Sequence, residues 1–137
     1  MASASNYLEE EAGKHLLRTG SWTKPSAIYV ALFVTAPGED GTGGTEVTGT
    51  GYARVLHGPS DATWAAPVGG NGQFSNLGAV QFGSPTANWG TISAFGLYDA
   101  ITSGNLLIVN TLTASVVVNS GDPAPAFAEG TLVVTIA

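Results

Sequence analysis

The stretch Trp89-Gly90-Thr91-Ile92-Ser93-Ala94-Phe95-Gly96-Leu97-Tyr98-Asp99-Ala100 decides how this chain is read. It is the densest run of aromatic, aliphatic and small residues in the sequence. Ile92, Phe95, Leu97 and Tyr98 do not keep to one parity, so a strand here carries apolar groups on both faces. Such strands are central in their sheet or sandwiched between layers. Gly90 and Gly96 are expected to remove side chains where a neighbouring ring or backbone comes close. The segment is therefore the expected core strand of an all-β domain.

A second doubly apolar strand is expected within Pro25–Thr35. Ile28, Val30, Leu32 and Val34 share one parity there, and Tyr29 and Phe33 the other. Its aromatic and β-branched residues favour extended backbone, and it is expected beside the central strand. Further strands are expected at Gly51–Leu56, Gln73–Phe82, Leu106–Val109, Leu112–Val118 and Thr131–Ile136. A tight turn at Thr102-Ser103-Gly104-Asn105 follows the central strand. That makes about seven or eight strands at roughly 10-residue spacing, the pattern of an antiparallel β-sandwich or barrel-like domain. Ala36–Thr50 is a Gly/Thr/acid loop, expected to be mobile, and His57–Gly72 is mainly loop.

One α-helix is expected, over Asn6–Thr19. Asn6 is placed to cap it, with Glu9 three residues on. Acids come first and Lys14, His15 and Arg18 last, which suits the macrodipole. Leu8, Ala12 and Leu16 form an apolar stripe with Leu17 beside it, and Gly20 is the expected terminator. Gly13 costs about 1 kcal/mol inside a helix, so the helix is expected to lean on the body of the protein. The Glu9-Glu10-Glu11 run reads as a solvated helix start, with an acidic contact for a basic partner surface as the alternative. Residues 1–20 are an arm and helix, and residues 21–137 the β-sandwich, in one compact domain of 137 residues.

Composition narrows the function. Charged residues make up 10%, against about 25% in ordinary domains. With 44% hydrophobic residues and 19 glycines, the surface is suited to being covered by neighbouring copies or by another protein. The net charge is −6, and three of the four cations (Lys14, Arg18 and Lys24, but not Arg54) lie near the start. No basic patch forms from so few, which argues against nucleic acid or an anionic membrane as partner. No apolar run approaches the roughly 20 residues that span a bilayer. The first residues lack the features of a signal peptide, so the protein is expected to be made in a cytoplasm and to leave it, if at all, by lysis. There is no cysteine, hence no thiolate chemistry.

Catalytic and cofactor motifs are missing from the sequence. His15 and His57 sit on different elements. There is no Gly-x-Ser-x-Gly elbow and no His-x-x-x-His pair, and the loop glycines match neither nucleotide-binding motif. Glu39, Asp40 and Glu46 do not follow the calcium-loop spacing. Asp99 is expected to accept bonds from turn amides, and Arg54 to pair with Asp99 or Asp122. Neither an enzyme nor a cofactor or metal site is expected.

Several short runs together carry a resemblance. They are Asn6-Tyr7-Leu8-Glu9; Ile28 to Phe33 with Thr35-Ala36-Pro37; Thr45-Glu46-Val47; and Gly51-Tyr52-Ala53-Arg54. Trp89 to Ile92, Phe95 to Ala100, Gly104 to Leu107 and Gly121-Asp122 complete the set. In this order they resemble the small virion proteins of tailed bacteriophages labelled as tail fibre proteins, with relatives that are head decoration (cement) proteins. The resemblance implies a non-enzymatic β-sandwich subunit repeated on a virus particle. A fibre carries a shaft of repeats or heptads, and this chain shows neither. A capsid decoration protein is therefore the preferred expectation, binding the major capsid protein and itself, with a homotrimer implied by analogy. A tail fibre or baseplate component that binds host surface or glycan is the alternative. The expected partner contacts are Tyr7, Leu8, Lys14 and Arg18 on the arm and helix, together with Trp22 and Trp64. Trp64 either folds back on the core or serves as an exposed anchor. A carbohydrate-binding module stacking sugars on Trp22, Trp64 or Trp89 is a third reading.

Overall fold

The computed structural model describes residues 3–67 and 69–136. Met1, Ala2, Val68 and Ala137, which belong to the expected arm, loop and closing segment, lie outside the described residues. In chain order the elements are β1 (Ser3–Ala4), α1 (Asn6–Leu17), β2 (Tyr29–Thr35), β3 (Thr45–Glu46), β4 (Val55–Leu56) and β5 (Gln73–Ser75). They continue with β6 (Val80–Gln81), β7 (Gly90–Tyr98), β8 (Leu106–Val118), β9 (Ala126–Phe127) and β10 (Val133–Thr135).

The strand β7 is central. The main sheet runs β1-β8-β7-β2-β3, and β4 also pairs with β2. Two small antiparallel ladders, β10-β5 and β6-β9, lie apart from it. The architecture is mainly β and sandwich-like, with one helix, and the described strands do not close into a barrel.

The mixed parity of β2 and β7 has a direct structural counterpart. Val30, Leu32, Phe95 and Leu97 enter the larger core, together with Val80, Phe82, Leu132 and Val134 from the small ladders and their flanks. Ala31, Phe33, Ala94 and Tyr98 enter a second cluster on the other face, with Leu106 and Val109. Both faces of the central strands are thus covered, as their composition requires. Ile92 shares parity with Ala94 yet joins the larger core, because the register breaks between them. Ile92 faces Val116 and Ala94 faces Thr111, so two steps along β7 meet five along β8. Both halves pair with β7 on either side of this break, so the expected strands Leu106–Val109 and Leu112–Val118 form one long strand, β8, rather than two.

Gly96 behaves as expected, since a Cβ there would stand 3.0 Å from the Phe33 ring. Gly90 does not. Its Cβ would meet only Val34, at 3.6 Å, and what it supplies is a φ of +90°. The expected strand Gln73–Phe82 is split into β5 and β6 by Asn76, which is fully buried. The Asn76 amide donates to the carbonyls of Gly78 (2.8 Å) and Ala128 (3.1 Å) and accepts from the Leu132 N–H (2.9 Å). A buried side chain satisfied by three backbone partners replaces ladder bonds and sends the two halves to different partners. Gly51–Leu56 shortens to β4 for want of a longer pairing.

The helix starts one residue earlier in capping terms than expected. Ser5, not Asn6, is the N-cap; its Oγ accepts the Leu8 N–H at 3.1 Å. The same hydroxyl donates to the Leu106 carbonyl, and the Ser5 N–H donates to Leu107 O at 2.8 Å. Tertiary bonds therefore decide between two adjacent capping residues. The helix ends at Leu17 with Arg18 as C-cap, so Gly20 is not the terminator. The start of the helix leans on the body and its end does not: Tyr7 and Leu8 pack against the core, whereas Leu16 is 79% and Leu17 86% exposed.

Candidate functional site

Two constellations stand out, one polar and one apolar. The polar one centres on Arg54, which is buried. Its Nε and Nη2 donate to the two carboxylate oxygens of Glu46, both at 2.8 Å. Its Nη1 donates to the carbonyls of Ala100 (2.9 Å) and Ser103 (2.8 Å), and the guanidinium lies 3.8 Å from the centre of the Tyr98 ring. The Tyr52 hydroxyl donates to Glu46 at 2.8 Å and accepts the Leu32 N–H at 3.0 Å. Arg54 therefore pairs with Glu46, not with Asp99 or Asp122. The reason is geometric: β3 and β4 both lie against β2, which places Glu46 beside Arg54. Burial raises the Glu46 carboxyl, but the hydrogen bonds from Arg54 and Tyr52 and the Arg54 charge outweigh it and hold the group below the usual carboxylate range. Burial likewise pushes the Tyr52 phenol far up. Every donor of this cluster is aimed at its own fold, so it is a clamp on the β2–β3–β4 edge and the turn after β7.

Asp99 takes the role expected of it. Its carboxylate accepts the Asn105 N–H at 2.7 Å and the Asn105 side-chain amide at 2.9 Å. The turn between them holds Ser103 at φ 52° and Gly104 at φ 78°. The Gly/Thr loop is held by bonds of its own: Asp40 accepts from the Thr42 N–H and hydroxyl, each at 2.9 Å, and Glu39 O accepts the Asn6 N–H. Hydrogen bonds from Thr42, the backbone one first, lower the Asp40 carboxyl. Among the described residues, no three His, Asp or Glu side chains are grouped as metal ligands.

The apolar constellation is a groove of about 830 Å³. It brings together three of the six expected contact residues, Leu8, Trp22 and Trp64, and adds Ile28, Phe74 and Ile136. Lys24 and Asp61 also border it. Trp22 is set by its backbone N–H, which donates to His15 Nδ1 at 3.2 Å. Trp64 both folds back on the core and faces the groove. Its indole N–H donates to His57 O at 2.9 Å, and its ring meets the His57 ring edge-on at 5.2 Å. His57 is buried, and its Nε2–H donates to Thr63 O at 2.8 Å. This histidine is a strut beneath Trp64.

The other three contact candidates lie elsewhere. Tyr7 borders a separate recess of about 150 Å³ with Glu39, Asp40 and Tyr98. Lys14 sits on the exposed side of α1 beside Glu11 (3.0 Å) and Glu10 (3.5 Å), where the Glu11 hydrogen bond raises its ammonium. Arg18 is exposed at the helix end. Trp89, offered as a sugar platform, is buried: its indole donates to Thr50 O at 3.1 Å and packs edge-on against Tyr52. Sequence reasoning missed Ile136 as a groove residue. Its signal was parity, since Ile136 continues the inward set of Leu132 and Val134.

A mainly β, sandwich-like chain whose buried Arg54 holds its own turns, and whose Leu8–Trp22–Trp64 groove is apolar, has the make-up of a structural module. Residues 3–135 match the Gp80 family model, described as Podophage GP4 fiber I protein gp80. The chain belongs to this family of small tailed-phage virion proteins and is virion-associated. A search of curated proteins returned no match.

Proposed function

We propose that the protein is a non-catalytic subunit of a phage tail-fibre assembly, which joins the particle by seating an apolar segment of a neighbouring virion protein in the Leu8–Trp22–Trp64 groove. The observation that carries this reading is the groove itself: two indoles and several aliphatic side chains face an open volume on a chain with very few charges. Aromatic anchors in such pockets dominate interface energetics. The family's description as a fiber protein supports the tail as the location. Function then arises by mass action, since each copy stabilises the assembly by its preference for the assembled state.

Capsid decoration is the second reading. What favours it is compactness: between residues 3 and 136 there is no repeat or long helix that makes a shaft, and α1 has 12 residues. Self-association as a homotrimer, with the major capsid protein as partner, belongs to this reading. Immunogold labelling of purified particles separates tail from head, and mass-spectrometric copy number separates a few copies from hundreds. The groove is tested by Trp22→Ala, since the Trp22 side chain makes no hydrogen bond among the described residues. The variant is expected to stay folded and to fall at least fivefold in particle occupancy. Wild-type occupancy would remove the groove from the proposal.

A further inference from the structure

The outer edge of β8 is an open strand edge. On its inner side β8 pairs with β7 at Leu106–Thr111 and again at Val116–Val118, and the extra residues of the register break, 112–115, have no partner on β7. On its outer side only β1 pairs with it, at Ser3↔Val109 and Ala4↔Ile108. Beyond that point, no described strand pairs with the outer edge of residues 110–118. The stretch Asn110-Thr-Leu-Thr-Ala-Ser-Val-Val-Val118 is exposed over most of its length, and Val116 and Val117 are 51% and 58% exposed although they point to opposite faces. Soluble proteins protect such edges with Lys, Pro, bulges, very short strands or a covering loop. Here there is no Lys, Glu or Pro, the strand has 13 residues, and its one interruption is the register break at 112–115.

We infer that this edge pairs with the same edge of a second copy, β8 against β8 and antiparallel about a two-fold axis, to make one continuous sheet. Three observations select that occupant. First, β1 already shows that the edge accepts an antiparallel strand. Second, a second copy carries the same net charge of −6, so self-contact must fall on neutral surface. The edge lies inside Ile101–Gly121, which holds no Asp, Glu, Lys, Arg or His. Third, an antiparallel edge is complementary to itself, since each unpaired N–H and C=O meets its counterpart across the axis. Valine and threonine at exposed positions suit cross-strand pairing and gain little from water. The inference does not depend on the groove: a groove variant that fails to enter particles is expected to keep this dimer.

The test is sedimentation equilibrium of the full chain, alone and with Thr113→Lys plus Val117→Lys. Both sites are exposed, so the variant is expected to fold, and like charges placed opposite each other are expected to weaken the dimer at least tenfold. Because the chain has no cysteine, single substitutions Thr111→Cys, Thr113→Cys, Ala114→Cys, Ser115→Cys and Val117→Cys give an independent reading even if the lysine variant misfolds. A two-fold axis brings one position within about 5.5 Å of its own copy. Disulfide-linked dimers are therefore expected to peak at one position and fall away on both sides. A wild-type chain that stays monomeric at about 100 μM, a dimer indifferent to the lysines, or crosslinking that is flat along the strand would each overturn the inference.

Discussion

Replacing Arg54 by methionine removes four hydrogen bonds and a cation over an aromatic face in one step. The loss leaves Glu46 with the Tyr52 hydroxyl as its remaining side-chain donor, and leaves the Ala100 and Ser103 carbonyls without theirs. Breaking a buried ion pair by deleting one partner costs about 3–5 kcal/mol. The Glu46 side chain keeps 27% of its exposure, so water recovers part of its hydration and the lower end applies, about 3 kcal/mol. In a domain of this length each kcal/mol moves Tm by roughly 3–5 °C, which gives a fall of about 10 °C. Arg54→Lys keeps the charge but loses the fork that meets both carboxylate oxygens and both carbonyls, so about half that cost is expected. The assay is urea unfolding followed by circular dichroism at pH 7, for wild type, Arg54→Met, Glu46→Gln and the double variant. Because the partners form one unit, the double variant is expected to cost little more than Arg54→Met alone. Additive single costs, or an Arg54→Met variant within about 0.5 kcal/mol of wild type, would refute the reading of this cluster as a clamp.

The same clamp fixes a pH dependence. Glu46 titrates below its ordinary value of 4.5 in the folded chain, so its contribution is complete above that value and is lost as pH falls through the folded one. The urea midpoint is expected to drop below about pH 4.5, and a Glu46→Gln variant whose profile drops just as steeply would count against the assignment. At the helix start, Ser5→Ala removes both the cap and the buried bond to Leu106 and is expected to cost about 1–2 kcal/mol. Asn6→Ala, at an exposed first helical position, is expected to cost less than about 0.5 kcal/mol; equal costs in thermal unfolding would return the cap to Asn6.

What the sequence made legible, and what it hid, follow one physical division. Side-chain periodicity is local, so the two apolar parities of β2 and β7 announced a strand covered on both faces, and the two clusters around Val30 and Phe33 are the result. Asp99 was legible for the same reason, because its partner Asn105 is on the same turn. Choices made by tertiary contact were hidden. Ser5 and Asn6 are both good caps, and only the carbonyl of Leu106, which β8 brings to the helix start, selects Ser5. Glu46 lies in a Gly/Thr loop that composition marks as mobile, and only its pairing with β2 puts it beside Arg54. The groove obeys the same rule. Leu8, Trp22 and Trp64 each stood out as apolar residues in polar surroundings, but their convergence depends on α1, the segment before β2 and the loop before β5 meeting at one place. Lys14 and Arg18 stood out equally and do not join them, because they lie along the exposed end of the helix, from residue 14 on. A site assembled from distant segments is therefore visible in sequence only as a set of separate oddities. The fold decides which of them become a surface, and here it joins Leu8, Trp22 and Trp64 and leaves Tyr7, Lys14 and Arg18 outside it.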